Sequence, residues 1–377
     1  MRIVHASSVH RWDDGRIFER QCRTLAGAGH EVILLASDAP GEKIDGIEVL
    51  SLGTARRRAD RMWRLVNEVR RQVRTLKPDV VVLHDPELLR LVPGLRRQGT
   101  RVVYDAHEDY AAQLRDKEWL PAPIRRIGSP LLSRLELAMT DRADLVLTAT
   151  PTIASRFEAQ QPVVVLNRPI VGDLPPLDDL RADRANSEEH RPSRLVFVGD
   201  LRAVRGAHAL VDAMHLINQR RPARLTILGK LTPVTLAEDL AGSSGWRYVD
   251  VTGWRPRGEV NEALSKADLG MLPFLDADNH RTSQPNKLFE YLHFGLPVVA
   301  TDFPLWRSLA EPVASRYVPS RSGDAADLAA ASLEVLDRPP SLERRLEAAT
   351  RARALYAWET EAHAYVRAIE RAGTTGG

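Results

Sequence analysis

The chain has 377 residues, 44% of them apolar and 27% charged, with 53 basic against 50 acidic side chains and a single cysteine, Cys22. That length accommodates about two domains with cores of their own, and the balance excludes a disordered chain. One thiol closes no intrachain disulfide, and the absence of any run near the roughly 20 apolar residues of a membrane span predicts a cytoplasmic protein.

Short β-branched runs recur along the chain, each followed by a stretch of helical period, which predicts βαβ units and parallel sheets buried on both faces. The first strand is expected at residues 2–8, followed by a polar loop with Asp13, Asp14 and Gly15 and a helix starting near Arg16 that carries Cys22 as a small buried residue. Further strands are expected at 31–37, 47–52, 79–85, 101–106, 143–150 and 162–167. Between the second and third of these groups, residues 55–77 set Met62, Leu65, Val66, Val69, Val73 and Leu76 on one helical face and arginines on the rest. Such a stripe serves either a helix covering a sheet or one lying on an anionic membrane, so peripheral contact with the inner membrane face stays open. The segment 121–139 has the same double reading.

A stretch rich in proline and charge, 168–194, reads as a linker. Beyond it strands are expected at 194–200, 224–230, 247–253, 267–274, 297–302 and 316–319, and a long helical stretch at 341–372 has a break near Trp358. The expected organisation is an N-terminal domain 1–170, a linker 171–193, a C-terminal domain 194–355 and a final helix in 356–377 that packs back on the first domain. Of the basic residues 47 are arginine and 6 lysine, spread along the chain and paired with acids rather than clustered with aromatics, so no nucleic-acid partner is expected.

In open parallel sheets ligands gather at the carboxyl ends of strands, where loops and helix N-termini converge. Polar residues directly after apolar strands are therefore the candidates. In the first half these are His84, Asp85 and Glu87, then Asp105, His107, Glu108 and Asp109. An imidazole changes charge near neutral pH, so His107 is suited either to act as a base or to donate hydrogen bonds to a substrate. Two histidines among carboxylates also raise a metal site, but no HExxH spacing or cysteine pair supports one.

In the second half GDLRAVRG (199–206) is a glycine-bounded loop before a helix, with Arg202 and Arg205 offering planar cationic forks to a phosphate. It fits neither GxGxxG nor the P-loop, which argues against nicotinamide dehydrogenases and P-loop NTPases. The segment SQPNKLFEYLHFGLPVVATD (283–302) starts a helix at Pro285 and ends it at Gly295. Lys287 and Glu290 lie three apart on one side of that helix, either as a surface ion pair or as a diphosphate and ribose site. A lysine in a first helical turn opposes the macrodipole, a conflict of the kind expected where a ligand anion binds.

At these residues the chain resembles the retaining GT-B glycosyltransferases of the glycosyltransferase 4 family, the glycosyl transferases group 1 type. The motifs that carry the resemblance are DDGRIFERQCRTLAGAGHEV (13–32), YDAHED (104–109), VGDLRAVRG (198–206) and PNKLFEYLHFGLPVVATD (285–302). The resemblance implies an α/β fold of two Rossmann-like, doubly wound parallel-sheet domains facing a cleft. It also implies a UDP- or GDP-sugar donor held mainly by the C-terminal domain and a hydroxyl acceptor held mainly by the N-terminal domain, at His84 and Asp85. Transfer is expected to retain anomeric configuration, with no cofactor and no obligatory metal.

By the same resemblance Arg205 stands at the family's phosphate-binding lysine, Glu290 at its ribose-binding glutamate, His107 at its histidine near the donor sugar and Gly15 at the glycine facing the donor phosphates. Two positions depart from the family pattern. Thr282 stands eight residues before Glu290 where another glutamate is usual, and Asp200 stands where an arginine is usual, with Arg202 nearby to compensate. A sugar-nucleotide epimerase of the same architecture and a silent nucleotide-sugar-binding subunit are the alternative expectations.

Overall fold

A computed structural model describes residues 1–54, 61–108, 110, 122–180 and 191–374 of the chain. Asp109, residues 181–190 of the expected linker and parts of 55–77 and 121–139 lie outside the described residues. The chain divides into two compact units, Met1–Asn167 with Trp358–Gly377, and Arg168–Ala357.

The first unit is built on a sheet of eight strands in the order β3-β4-β2-β1-β5-β6-β7-β8. They are β1 (Arg2–Arg11), β2 (Glu31–Ser37), β3 (Glu42–Ile44), β4 (Ile47–Ser51), β5 (Val80–Leu83), β6 (Arg101–Ala106), β7 (Leu145–Thr148) and β8 (Val163–Val164). All neighbours run parallel except β3 and β4. The central strands are continuous apolar runs because helices cover both faces; β5, VVVL, is buried at every position. Each such valine or leucine contributes roughly 1.5–3 kcal/mol by leaving water.

Two strand expectations needed correction. The expected strand at 162–167 pairs only at Val163 and Val164, and β3 went unforeseen because three half-exposed residues, EKI, carry no apolar signal. What joins β3 to β4 is Asp45-Gly46, both in the left-handed region at φ 50° and 82°, the dipeptide of a tight hairpin.

Leu65, Val66, Val69 and Val73 are buried in the first unit's core, so the apolar stripe of the helix Val66–Leu76 is spent on its own sheet. Met62, at the head of that stripe, is 39% exposed. Among the described residues no helix is long and apolar enough to cross one.

The second unit has six parallel strands in the order β11-β10-β9-β12-β13-β14: β9 (Ser193–Val198), β10 (Ala223–Leu228), β11 (Val249–Val251), β12 (Leu269–Leu272), β13 (Val298–Thr301) and β14 (Tyr317–Ser320). The strand order reverses at β9, the central switch point where ligands of open α/β sheets bind. The final helical stretch breaks at Tyr356, and the helix Trp358–Thr374 belongs to the first unit, where Trp358 Nε1 donates to Thr24 Oγ1 (2.9 Å) and Glu361 accepts from the Leu166 N–H (3.2 Å).

Candidate functional site

Each unit holds a cluster of polar side chains at the carboxyl ends of its central strands, and the two differ in kind. In the first unit the centre is Asp105, buried at the end of β6. Its carboxylate takes a bidentate pair from Arg16, Nε to Oδ2 at 2.9 Å and Nη2 to Oδ1 at 2.6 Å, and a third hydrogen bond from Gln21 Nε2 at 2.9 Å. Burial alone would raise the Asp105 pKa, but the Arg16 charge and these hydrogen bonds hold it well below the usual carboxylate range.

A chain of hydrogen bonds enters from the other side. Tyr365 Oη lies 3.4 Å from His5 Nε2, His5 Nδ1 lies 3.0 Å from His84 Nε2, and His84 Nδ1 lies 3.1 Å from Asp105 Oδ2. A carboxylate only accepts, so His84 carries its hydrogen on Nδ1 and takes one on Nε2 from His5, whose Nε2 then accepts from the Tyr365 hydroxyl.

His84 and Asp85 were expected to touch the acceptor. Both are wholly buried, His84 with both ring nitrogens engaged, and Asp85 accepting from Ser7 Oγ (2.9 Å), the Ser8 N–H (2.6 Å) and Ser8 Oγ (3.3 Å). Both side chains lie beneath the surface of the first unit at the end of β5. The reason is topological: β5 is central, so the residues that end it lie under neighbouring loops.

His107 is at the edge, its side chain 7% exposed, with Nδ1 3.1 Å from the Asp105 carbonyl oxygen and Nε2 3.0 Å from His10 Nε2. Burial, with Arg16, His10 and His84, keeps its pKa below the ordinary value against the pull of Asp105. Gly15 is exposed in the loop after β1, where the Asp14 carboxylate accepts from the N–H groups of Arg16 (2.8 Å) and Ile17 (2.9 Å) and so caps the following turn.

His84, Asp105 and His107 converge closely enough to raise a metal ion. Their lone pairs are already committed, however: Asp105 to Arg16, Gln21 and His84, and the Nδ1 hydrogens of both histidines to Asp105.

In the second unit β9 ends in Gly199, at φ +86°, a left-handed turn that suits glycine. The strand end is fixed by Tyr291 Oη, which accepts from the Val198 N–H at 3.0 Å, its ring lying where any Cβ on Gly270 would be 2.5 Å away. Asp200 accepts from the Lys230 N–H (3.0 Å), and its carbonyl oxygen accepts from Arg205 Nη1 (2.6 Å). Gly206, at φ +80°, opens the helix Ala207–Asn218, and a Cβ there would sit 1.8 Å from the Pro273 carbonyl oxygen.

Lys287, in the first turn of the helix Asn286–His293, is 8% exposed, and its Nζ finds no hydrogen-bond acceptor among the described residues. The ammonium sits 3.9 Å from the centre of the Phe197 ring and 5.2 Å from that of Phe274, and about a carbon–carbon contact from Gly199, where an added Cβ would lie 3.5 Å away. Arg205 stacks over the same Phe274 ring at 5.7 Å. Burial first and Arg205 second push the Lys287 pKa well down, with Glu290 and Asp200 pulling the other way. Burial and Arg202 lower that of Arg205 too.

Glu290 does not pair with Lys287, as a surface i,i+3 bridge would require; its Oε1 accepts from Arg257 Nη1 at 2.5 Å. Arg202 is exposed at the loop tip, and Thr282 ends a short helix with its hydroxyl on the Asp278 carbonyl (3.1 Å). The structure therefore brings Lys287, Arg205 and Gly199 together, and sets Glu290 one turn further on with a partner, Arg257, that no local pattern pointed to. The aromatic floor and the Arg16, His5 and His10 contacts were also unforeseen; the one available hint was a histidine inside the apolar run of β1.

Residues 15–170 match the family model "Glycosyltransferase Family 4", and residues 192–338 match "Glycosyl transferases group 1". The amylovoran biosynthesis glycosyltransferase AmsK of Erwinia amylovora is 29% identical over 149 residues, 39% of this chain and 36% of that protein, so the match spans little more than a third of that relative's length. Sucrose-phosphate synthase of Thermosynechococcus elongatus shares the fold with a TM-score of 0.75 at 16% identity, over 98% of both chains. Anabaena Alr3699/HepE, solved in complex with UDP-glucose, does so with a TM-score of 0.68 at 15% identity, over 98% of this chain and 99% of its own. With both halves matched and the parallel α/β architecture in place, the chain belongs to the glycosyltransferase 4, or glycosyl transferases group 1, family of GT-B glycosyltransferases.

Proposed function

We propose that this glycosyltransferase moves a hexose from a UDP- or GDP-sugar to a hydroxyl acceptor, with retention of anomeric configuration and without an obligatory metal. The observation that carries the reading is Lys287: an ammonium buried without an acceptor among the described residues, beside a second, half-buried cation, Arg205, at the switch point of the sheet. A buried unpaired charge is costly, and an anion of two linked phosphates is what would offset it. Anabaena Alr3699/HepE, with the same fold, was solved with UDP-glucose, which is in keeping with such a donor.

Breaking the bond from a sugar to a nucleoside diphosphate places negative charge on the departing phosphate and positive charge on the anomeric carbon. Fixed cations at the phosphates hold that charge more tightly as it develops, which lowers the barrier. On this reading Lys287, Arg205 and Arg202 bind the diphosphate, and Glu290 accepts from the ribose hydroxyls with Arg257 holding its carboxylate in place. His107 orients the reacting sugar and acceptor, with His84 and Asp85 as positioning residues beneath it. The Lys287 and Arg205 charges supply what a metal supplies elsewhere.

The acceptor is a glycan, a lipid-linked sugar or a secondary metabolite, and the enzyme works in the cytoplasm, with contact at the inner membrane face if the acceptor is lipid-linked. Incubation with a panel of nucleotide sugars, with and without acceptors and with EDTA, tests this. Acceptor-dependent nucleotide release that survives EDTA, and a product of unchanged anomeric configuration by NMR, is the expected result. Interconversion of free sugar nucleotides would make it an epimerase, and binding without turnover under every condition a silent subunit.

A further inference from the structure

His10, near the end of β1, plays no part in the account above, yet its ring lies 3.0 Å from the one nitrogen of His107 that faces outward. The hydrogen positions follow from the partners. A carbonyl oxygen only accepts, so His107 Nδ1, 3.1 Å from that of Asp105, carries a hydrogen. A carboxylate likewise only accepts, so His10 Nδ1, 3.4 Å from Asp14 Oδ2, carries one as well. One further hydrogen must lie between the two Nε2 atoms, and one of the two rings is therefore an imidazolium.

The surrounding charges decide which. His10 faces Asp14, the Asp85 Oδ1 at 3.8 Å, an oxygen with no hydrogen-bond partner of its own, and Glu108 from the loop after β6. His107 faces Asp105, whose charge is already matched by the bidentate Arg16, together with the Arg16 guanidinium itself and His84. Three carboxylates favour a cation on His10, while Arg16 disfavours one on His107.

We propose that His10 is a resident imidazolium and a positioning residue. It donates from Nε2 to His107 Nε2 and so holds His107 neutral with its own hydrogen on Nδ1, which occupies the lone pair through which His107 would otherwise act as a base at neutral pH. The inference deepens the proposed function, since it rests on His107 facing the reacting sugar. It also excludes the role of base that the sequence left open for that histidine, since the Nε2 lone pair is taken by His10 and the Nδ1 hydrogen by the Asp105 carbonyl oxygen. The acceptor's proton must therefore go elsewhere, to the leaving phosphate.

The test uses the full-length protein with nitrogen-labelled histidine rings, assigned by His10→Gln and His107→Gln, and followed by NMR between about pH 5 and pH 10. One ring with both nitrogens protonated at neutral pH, absent in His10→Gln, is expected, with His107 neutral and hydrogen on Nδ1. In His10→Gln the His107 ring should take up its proton at higher pH than in the unaltered protein, because the neighbouring cation is gone. Asp14→Asn keeps the His10 ring and should move its titration towards the ordinary histidine value, which guards against a folding defect in the first variant. In steady-state turnover His10→Gln should lower kcat by about tenfold, the loss of one charge from a hydrogen bond, and leave the donor KM within about twofold.

A neutral His10 at pH 7, or a His107 titration unmoved by His10→Gln, overturns the assignment of the charge. An unchanged kcat in His10→Gln overturns the positioning role. The NMR arm needs no donor or acceptor, so it stands or falls apart from the proposed function; a fully active His107→Gln with the expected NMR result would remove His107 from the reaction and leave the charge assignment intact.

Discussion

The polar clusters of the two units handle buried charge in opposite ways. In the first, the central charges are matched inside the protein: Arg16 meets Asp105 in a bidentate pair, and Tyr365, His5 and His84 line up behind it at 3.0–3.4 Å. In the second, Lys287 is left over an aromatic floor with no acceptor and with Arg205 beside it. A satisfied network is a scaffold, whose members hold one another in place; an unsatisfied cation is a binding site, whose missing partner comes from outside. The difference teaches where to look for each kind of mutational effect, stability in the first cluster and affinity in the second.

The contrast can be broken most violently at Asp105. Asp105→Asn leaves Arg16 buried without its counter-charge and should cost about 3–5 kcal/mol of unfolding free energy, read by urea denaturation. A loss below about 1 kcal/mol would mean that the network is not closed in the way described.

Next in size is pH. Burial works against charge on His10, but the Asp14 hydrogen bond and the charges of Asp85, Asp14 and Glu108 raise its pKa from 6.5 to about 9. A raised histidine stabilises fully below its unfolded value, so this contribution, about 3 kcal/mol, should fade as pH climbs from 6.5 through about 9. His293 in the second unit is the mirror case: burial, with Arg353 and Arg257, lowers it to about 3, so its contribution is present above 6.5 and fades as pH falls towards 3. Hydrogen exchange read unit by unit should find the first unit loosening in alkali and the second in acid; the reverse order would contradict the assignment.

Smaller again is Glu290→Ala, which should weaken nucleotide binding by about tenfold through the lost charged acceptor, with folding intact. Calorimetry with UDP and GDP reads it, and an unchanged affinity takes Glu290 out of the ribose site.

How far these clusters could be read in advance depended on distance along the chain. The alternation of apolar strands and helical stretches was plain, because a strand buried on both faces is largely apolar, as in β5. The lysine and glutamate of the 285–302 segment and the glycines at 199 and 206 were legible too, since turn and helix geometry act within a few residues. Arg16 and Asp105 lie 89 residues apart, and His5 and Tyr365 lie 360 apart, so only the strand order of a folded sheet brings them together. The same reason hid the depth of His84 and Asp85, whose position after a strand was legible but whose full burial was not. The hairpin at Asp45-Gly46 was a local signal that went unused, its strand being too short and too exposed to stand out.

The central claim is that Lys287 is kept buried and unpaired for an incoming diphosphate. Lys287→Met, which keeps the length of the side chain and removes its charge, puts that to the test by UDP and GDP titration calorimetry alongside thermal unfolding of the free protein. The account predicts nucleotide binding weaker by about thirtyfold or more, with the free protein as stable as before or about 1 kcal/mol more so, because an uncompensated charge has left the interior. Unchanged affinity for both nucleotides in a folded variant would contradict it.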